Sequence, residues 1–318
     1  MSARDGGGPN IREQTIRADV SRETSADTER MFYMKHTDGD TGEPGREPGR
    51  VALSGSAGEA GRAAASAARE RRERGQRRQR ARRLLLLATF LLFPIIIFYF
   101  SPVLIIEGAL SGVVAASMLV FGLQFLTAIV LRRAWCGWLC AAGGLQELAA
   151  TAVGKPSRPA WLKRVKYVIW VPWVLSIAAC AWVAGGFTVV DPLYGIPGGV
   201  SMNNPLGLPI YFGIVALFFV PNLFLGRRAM CHGICWMAPF MVLGEKLGAA
   251  LRLPQLHVGA EADRCIGCGK CDRACPMSLP VERLLRAGAI EDAECIQCAA
   301  CADACPKDVL KLRMSRVR

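Results

Sequence analysis

Four long apolar segments constrain this chain most: Leu84 to about Ile106, Leu110 to Leu131, Val165 to Val190 and Leu208 to Leu225. Each approaches or exceeds the length needed to cross a hydrocarbon core about 30 Å thick. No water is available there to satisfy backbone N–H and C=O groups, so such runs must close their own hydrogen bonds as helices. Pro94 is expected to kink the first segment, and a turn around Glu107-Gly108 divides it from the second. Buried helices of a soluble protein do not suit four segments this long and this poor in charge. Arg82-Arg83 before Leu84 resembles a twin-arginine export signal only superficially, because it sits too far into the chain and the apolar run is too long for a signal core.

Lys and Arg set the expected orientation. They crowd the start of the first segment (Arg77, Arg78, Arg80, Arg82, Arg83), follow the second (Arg132, Arg133), precede and enter the third (Lys155, Arg158, Lys163, Arg164, Lys166) and follow the fourth (Arg227, Arg228). The connections around Glu107 and from Asp191 to Pro209 hold none. Both termini are therefore expected on the cytoplasmic side. The formal charge of +13 is concentrated outside the apolar segments. Residues 1–83 are rich in Gly, Arg, Ser, Ala and Glu and poor in large apolar side chains, which predicts a disordered basic tail. Its run from Arg69 to Arg83 is better suited to anionic lipid than to nucleic acid, because membrane sequence follows at once.

Eight C-terminal cysteines form two matching rows: Cys265, Cys268, Cys271, Cys275-Pro276, and Cys295, Cys298, Cys301, Cys305-Pro306. Each reads C-x2-C-x2-C-x3-C-P, the run with which bacterial ferredoxins hold [4Fe–4S] clusters. Three thiolates of such a row surround one face of a cubane, and the fourth ligand comes from the other row. The expected sets are Cys265, Cys268, Cys271 with Cys305, and Cys295, Cys298, Cys301 with Cys275. A zinc ribbon would present two separated pairs instead, and a disulfide framework does not fit a reducing compartment.

A second constellation repeats at an interval of 95 residues. After the second apolar segment the chain reads Arg132-Arg133-Ala134-Trp135-Cys136-Gly137-Trp138-Leu139-Cys140, and after the fourth Arg227-Arg228-Ala229-Met230-Cys231-His232-Gly233-Ile234-Cys235. The shared R-R-A-x-C-x3-C predicts two parallel hairpin repeats related by an axis along the membrane normal, with all four cysteines at one depth. If each C-x3-C is helical, its sulfurs share one helix face. The four thiols then form a candidate metal or Fe–S site; a redox dithiol and buried packing residues are the other readings. His232 is a candidate ligand or proton acceptor, whereas Gln124 and Asn222 suit helix–helix hydrogen bonding better than a quinone site.

Four apolar spans, a C-x3-C after the second and the fourth, and a two-cluster ferredoxin resemble the polyferredoxin-like membrane family. That group includes the quinol-dehydrogenase membrane subunit of periplasmic nitrate reductase, the membrane regulator of nitrous oxide reduction and the copper reductase needed for cbb3 oxidase assembly. The likeness covers about residues 84–318. It departs where the family has proline after the second cysteine of each C-x3-C, since Ala141 and Trp236 stand there.

The expected fold is an all-α four-helix transmembrane bundle of two parallel hairpin repeats over 84–255, followed by a small α+β two-cluster bacterial ferredoxin domain over 256–318. Hydropathy and the placement of Lys and Arg predict a multi-pass membrane protein with the lipid bilayer as partner and no nucleic acid, and the resemblance implies the bacterial inner membrane. The resemblance implies electron transfer between membrane quinol and a partner redox protein. Metal handling for another metalloenzyme is the alternative, with Cu(I) on the soft thiolates of Cys136, Cys140, Cys231 and Cys235. A redox sensor would need an output domain, and none is recognisable.

Overall fold

The computed structural model describes residues 55–157, 161–202, 205 and 207–316. Helix α1 (Gly55–Leu91) opens them. Part of the tail expected to be disordered is thus helical, and residues 1–54 of it lie outside the described residues. Two causes operate over 55–83. Ala, Arg, Glu and Gln are strong helix formers, supported by i,i+4 pairs Arg69–Glu73 (3.0 Å) and Arg74–Glu70 (2.9 Å). The helix also finds a tertiary partner: Arg78 Nε donates to Asp303 Oδ2 (3.1 Å) and Gln79 Nε2 to the Cys298 carbonyl (2.9 Å), both in the C-terminal domain.

Pro94 ends α1, because it has no N–H to continue the helical ladder. Helix α2 (Phe93–Ile96) and a 3-10 turn (Ile97–Phe100) leave at 58° to α1. Ser101 then caps α3 (Pro102–Leu110), its Oγ accepting from the Leu104 N–H at 3.3 Å. The first expected span is therefore broken. The second is shorter than expected: Gly112 turns with φ +66°, Val113–Ala115 form strand β1, and α4 runs only Ala116–Leu131. Sixteen residues reach about 24 Å.

Short helix α5 (Ala134–Trp138) and α6 (Ala141–Ala152) follow, then α7 (Leu162–Val183). Strand β2 (Val189–Asp191) pairs parallel with β1, Val114 opposite Val190, and this pairing cuts short the third expected span. Helix α8 (Gly207–Leu225), short α9 (Ala229–Gly233) and α10 (Ala238–Ala250) complete the helical part. Among the described residues, α7 and α8 are long and apolar enough to cross a membrane, with the bent α1–α2 pair as a third candidate. Their apolar side chains face outward, Trp182 87% and Phe224 80% exposed, the inverse of a water-soluble core.

The C-terminal domain is built on the antiparallel order β4-β3-β5, from β3 (Pro254–Ala260), β4 (Ala289–Ile290) and β5 (Leu310–Arg316), with Val258 opposite both Ile290 and Leu312. Of helices α11 (Lys270–Ala274), α12 (Val281–Leu285) and α13 (Ala300–Ala304), the last two pack on it, and α11 packs on those two helices.

Candidate functional site

The two cysteine rows fold alike. Each enters its short helix through a left-handed residue, Gly269 (φ +61°) before α11 and Ala299 (φ +58°) before α13. Each leaves through a cysteine whose N–H reaches three residues back, Cys275 to Asp272 and Cys305 to Ala302, both 3.2 Å. This arch directs the trailing cysteine away from its own row. Cys265, Cys268, Cys271 and Cys305 consequently line one small cavity, walled by Leu285, Val309 and Pro306. Cys275, Cys298 and Cys301 lie together in the core. Burial pushes the Cys301 thiol well up, and the charges of Cys298, Cys295 and Cys275 push it further, which puts all four in mutual range.

The membrane-side cysteines are buried in two adjoining clusters, Cys136 with Cys231 and Cys140 with Cys235, and among the described residues no group of three or more His, Cys, Asp or Glu is placed to hold a metal ion. Cys136, Cys140, Cys231 and Cys235 are all buried. Burial, then the charges of Cys136, Cys231 and Cys235, drive the Cys140 thiol up. Cys235 is pushed up to about 12 by burial and by Cys231 and Cys136, against the opposing charge of Arg133. The local fold is duplicated: Cys140 and Cys235 each donate their N–H to the carbonyl five residues back, Trp135 and Met230, at 3.1 Å. That closure ends α5 and α9 before the second cysteine. The C-x3-C is therefore not one helix; Cys140 is extended (ψ 117°) and stands at the start of α6.

Sequence reading missed Gln146, which clamps this group. Its Nε2 donates to Cys231 Sγ (3.1 Å) and its Oε1 accepts from the Cys231 N–H (3.3 Å). The available signal was its position six residues after Cys140 on an otherwise apolar helix face. Met241 was missed as well, with Sδ 3.4 Å from Cys136 Sγ. His232 is placed otherwise than as a ligand: Nε2 faces the Met277 carbonyl (3.1 Å) and Nδ1 faces Glu294 Oε2 (3.4 Å). Asn222 caps the start of α9, accepting from the Ala229 N–H at 2.9 Å. Gln124 donates to Met237 Sδ at 3.5 Å.

Two carboxylates, Glu294 buried and Glu147 half-buried, tie these pieces together. Glu294, next to Cys295, meets Arg133 (2.9 Å), Lys166 and His232. Burial raises its pKa, but the charge of Arg133, the His232 hydrogen bond and Lys166 outweigh that and hold it far below the usual carboxylate range. Glu147, seven residues beyond Cys140, meets Arg82 (Nη1, 2.9 Å) and Arg228 (2.8 Å). Burial again opposes ionisation, and the hydrogen bond from Arg82 with the charge of Arg228 holds Glu147 at about 2. Each carboxylate thus links residues of different segments around the thiols.

The membrane-side motif and the second cysteine row touch directly. A Cβ on Gly137 would stand 2.2 Å from the Ile296 carbonyl oxygen and 3.5 Å from Cys298 Cβ. Trp138 Nε1 donates to the Gln297 carbonyl at 3.2 Å, and Arg133 Nη1 to the Ala293 carbonyl at 2.8 Å. Cys136, Cys231 and Met241 share one core with Cys275, Cys298 and Cys301. Buried donors without protein partners stand nearby: Trp135 Nε1, Arg133 Nη2 and Gln297 Nε2. Soft thiolate sets surrounded by orphan N–H groups fit an anionic iron–sulfur core, which would accept those hydrogen bonds.

Comparison with known proteins agrees with this chemistry. A 4Fe-4S dicluster domain profile matches residues 264–310 and a second dicluster profile residues 242–280. A 4Fe-4S binding domain profile matches 113–162, the stretch that carries Cys136 and Cys140. YccM of Escherichia coli (strain K12), whose name assigns it to electron transport, is 27% identical over 199 residues, 59% of this chain and 53% of YccM. The methylamine utilization ferredoxin-type protein MauN of Paracoccus denitrificans is 28% identical over 184 residues, 55% of this chain and 60% of MauN. The chain thus carries ferredoxin-type 4Fe–4S domains and is similar to polyferredoxin-like electron-transport proteins. The chain spans about half to three-fifths of the curated relatives it matches. No solved structure matches it.

Proposed function

We propose that this protein is a membrane-bound electron-transfer subunit that passes electrons between the quinol pool and a partner oxidoreductase. Two [4Fe–4S] clusters serve it, one on Cys265, Cys268, Cys271 and Cys305, the other on Cys295, Cys298, Cys301 and Cys275. When bound, such clusters accept and release single electrons at potentials tuned by burial and by hydrogen bonds to sulfur. The protein's own part is to hold the two sets at different depths. Cys275, Cys298 and Cys301 are buried against the membrane-side motif, whereas Cys265, Cys268, Cys271 and Cys305 are partly exposed, toward a soluble partner. The observation that carries this reading is the shared core in which Cys136 and Cys231 pack with the second cysteine set, at the Gly137–Ile296 backbone contact.

The same reading takes the protein as multi-pass in the bacterial inner membrane, with α1–α2, α4, α7 and α8 as four crossings in two parallel hairpins. The basic segments and the ferredoxin domain face the cytoplasm, and the domains divide near residues 83 and 255. The duplicated Cys140 and Cys235 turns support a duplicated unit.

Anaerobic purification tests the proposal. About eight irons per chain from the ferredoxin rows, [4Fe–4S] EPR signals after dithionite and bleaching of the clusters by a quinol are expected. Colourless protein, or clusters that respond to no quinone, would overturn it. One observation favours a second reading, copper reduction or delivery for another metalloenzyme: the thioether of Met241 beside Cys136 adds a soft ligand suited to Cu(I). Copper bound at one per chain and lost with Cys136→Ser would select it.

A further inference from the structure

An apolar cavity of about 540 Å³ lies between α2, α3 and α8. Phe93, Ile97, Ile214 and Phe218 wall it. Cys140, of the four-thiol group, lines it together with Trp236, whose ring is pinned by an Nε1–H bond to the Phe100 carbonyl at 3.1 Å. Glu107 lines it too, the one charged side chain to do so, and it makes no ion pair among the described residues. Val103 and Ile210 also line it and are 58% and 54% exposed, so the cavity reaches the apolar outer surface.

This combination is specific in its chemistry. The volume suits a ring-sized ligand, and apart from Glu107 the walls offer it no charge. The cavity joins Cys140 of the four-thiol group to the carboxylate of Glu107, which stands at its other end on the connection after the first apolar segment. Ser101 adds a hydroxyl whose oxygen already accepts the Leu104 N–H, leaving its hydrogen free to donate.

Building on the quinol reading above, we propose that this cavity is the quinol-oxidation site and that Glu107 is the proton acceptor in it. The quinol loses both O–H hydrogens and becomes quinone. Its two electrons leave singly at the Cys140 end, toward the two cysteine sets, whose clusters, when bound, would supply one one-electron acceptor each. One proton goes to the Glu107 carboxylate and the other to water. A glutamate at hydrogen-bonding distance supplies general-base assistance of about a hundredfold or more. Glu107 also sits on a connection without Lys or Arg, so no basic side chain beside it in sequence competes for its carboxylate.

The test uses the full chain with its clusters in detergent, a photoactivatable azidoquinone as the binding probe, and a short-chain ubiquinol as reductant. Cross-links should fall on residues 93–107 or 210–218 and be competed by unlabelled quinone. Ile214→Trp, which fills the cavity, should cut labelling at least about tenfold at unchanged iron content and unchanged dithionite reduction. Glu107→Gln should retain labelling yet slow quinol-driven cluster bleaching by about tenfold or more, and Glu107→Asp should recover most of the rate. Labelling elsewhere, or wild-type bleaching by Glu107→Gln, overturns the assignment while the quinol reading stands. If wild-type protein is reduced by dithionite but by no quinol, that reading falls and takes this one with it.

Discussion

Replacing Gly137 with alanine is the sharpest perturbation of the electron route. The added methyl would sit 2.2 Å from the Ile296 carbonyl oxygen and 3.3 Å from its carbon. Both are backbone atoms of the second cysteine row, so no side chain can swing aside. Restoring an ordinary contact of 3.4 Å requires the Cys136 segment and the Cys295–Cys298 loop to part by about 1 Å. Overpacking of this kind costs about 1–3 kcal/mol, and it falls between the two sulfur groups. Gly144→Ala is the matched control: its Cβ would meet the Leu86 carbonyl oxygen at 2.4 Å, a comparable clash against α1. Both variants should unfold more readily in denaturant. Gly137→Ala alone should slow quinol-driven bleaching of the clusters, while its dithionite-driven bleaching and iron content stay at wild-type levels. Equal slowing in the two variants, or none in Gly137→Ala, would refute the reasoning that the motif hands electrons across this contact.

Three further outcomes are expected. Cys268→Ala should open the ferredoxin domain locally, because ligation supplies much of the stability of so small a core; limited proteolysis and iron content report this, and unchanged values in both refute it. Glu147→Gln should leave Arg82 and Arg228 buried without a counter-ion, at a cost of about 3–5 kcal/mol in denaturant titrations. Because the folded-state pKa of Glu147 is depressed to about 2, wild-type stability from this group is complete above the ordinary carboxylate pKa and drains as pH falls from about 4.5 toward 2; the variant should lack that slope. Cys136→Ser and Cys231→Ser should keep about eight ferredoxin irons and lose any further iron or copper, and elemental analysis matching wild type throughout would mean that these thiols hold no metal.

Much of the architecture was readable in one dimension because it depends on local spacing. Three thiolates separated by two residues bend around one ligand wherever they occur, so the ferredoxin rows announced themselves. Apolar runs declare their solvent by composition, and the R-R-A-x-C-x3-C copies were matched residue by residue. The lengths of the spans were less legible. Residues 110–115 and 184–190 are apolar enough for helix, yet the β1–β2 pairing and the turns at Gly112, Gly185 and Gly186 claim them. Likewise the Arg-rich stretch before Leu84 reads as a solvated tail until Asp303 offers it a partner.

Cysteine spacing, hydropathy and the placement of Lys and Arg suffice to write down a sulfur-rich redox chain attached to a bilayer. Packing alone assembled the centre. Gln146 against Cys231, Glu147 between Arg82 and Arg228, Glu294 between Arg133 and His232, and Gly137 beneath Ile296 join residues separated by dozens to more than a hundred positions. Local propensity carries no information over such separations. Each pair forms because burying one charge or one carbonyl demands a specific complement, and only the folded chain can bring it there.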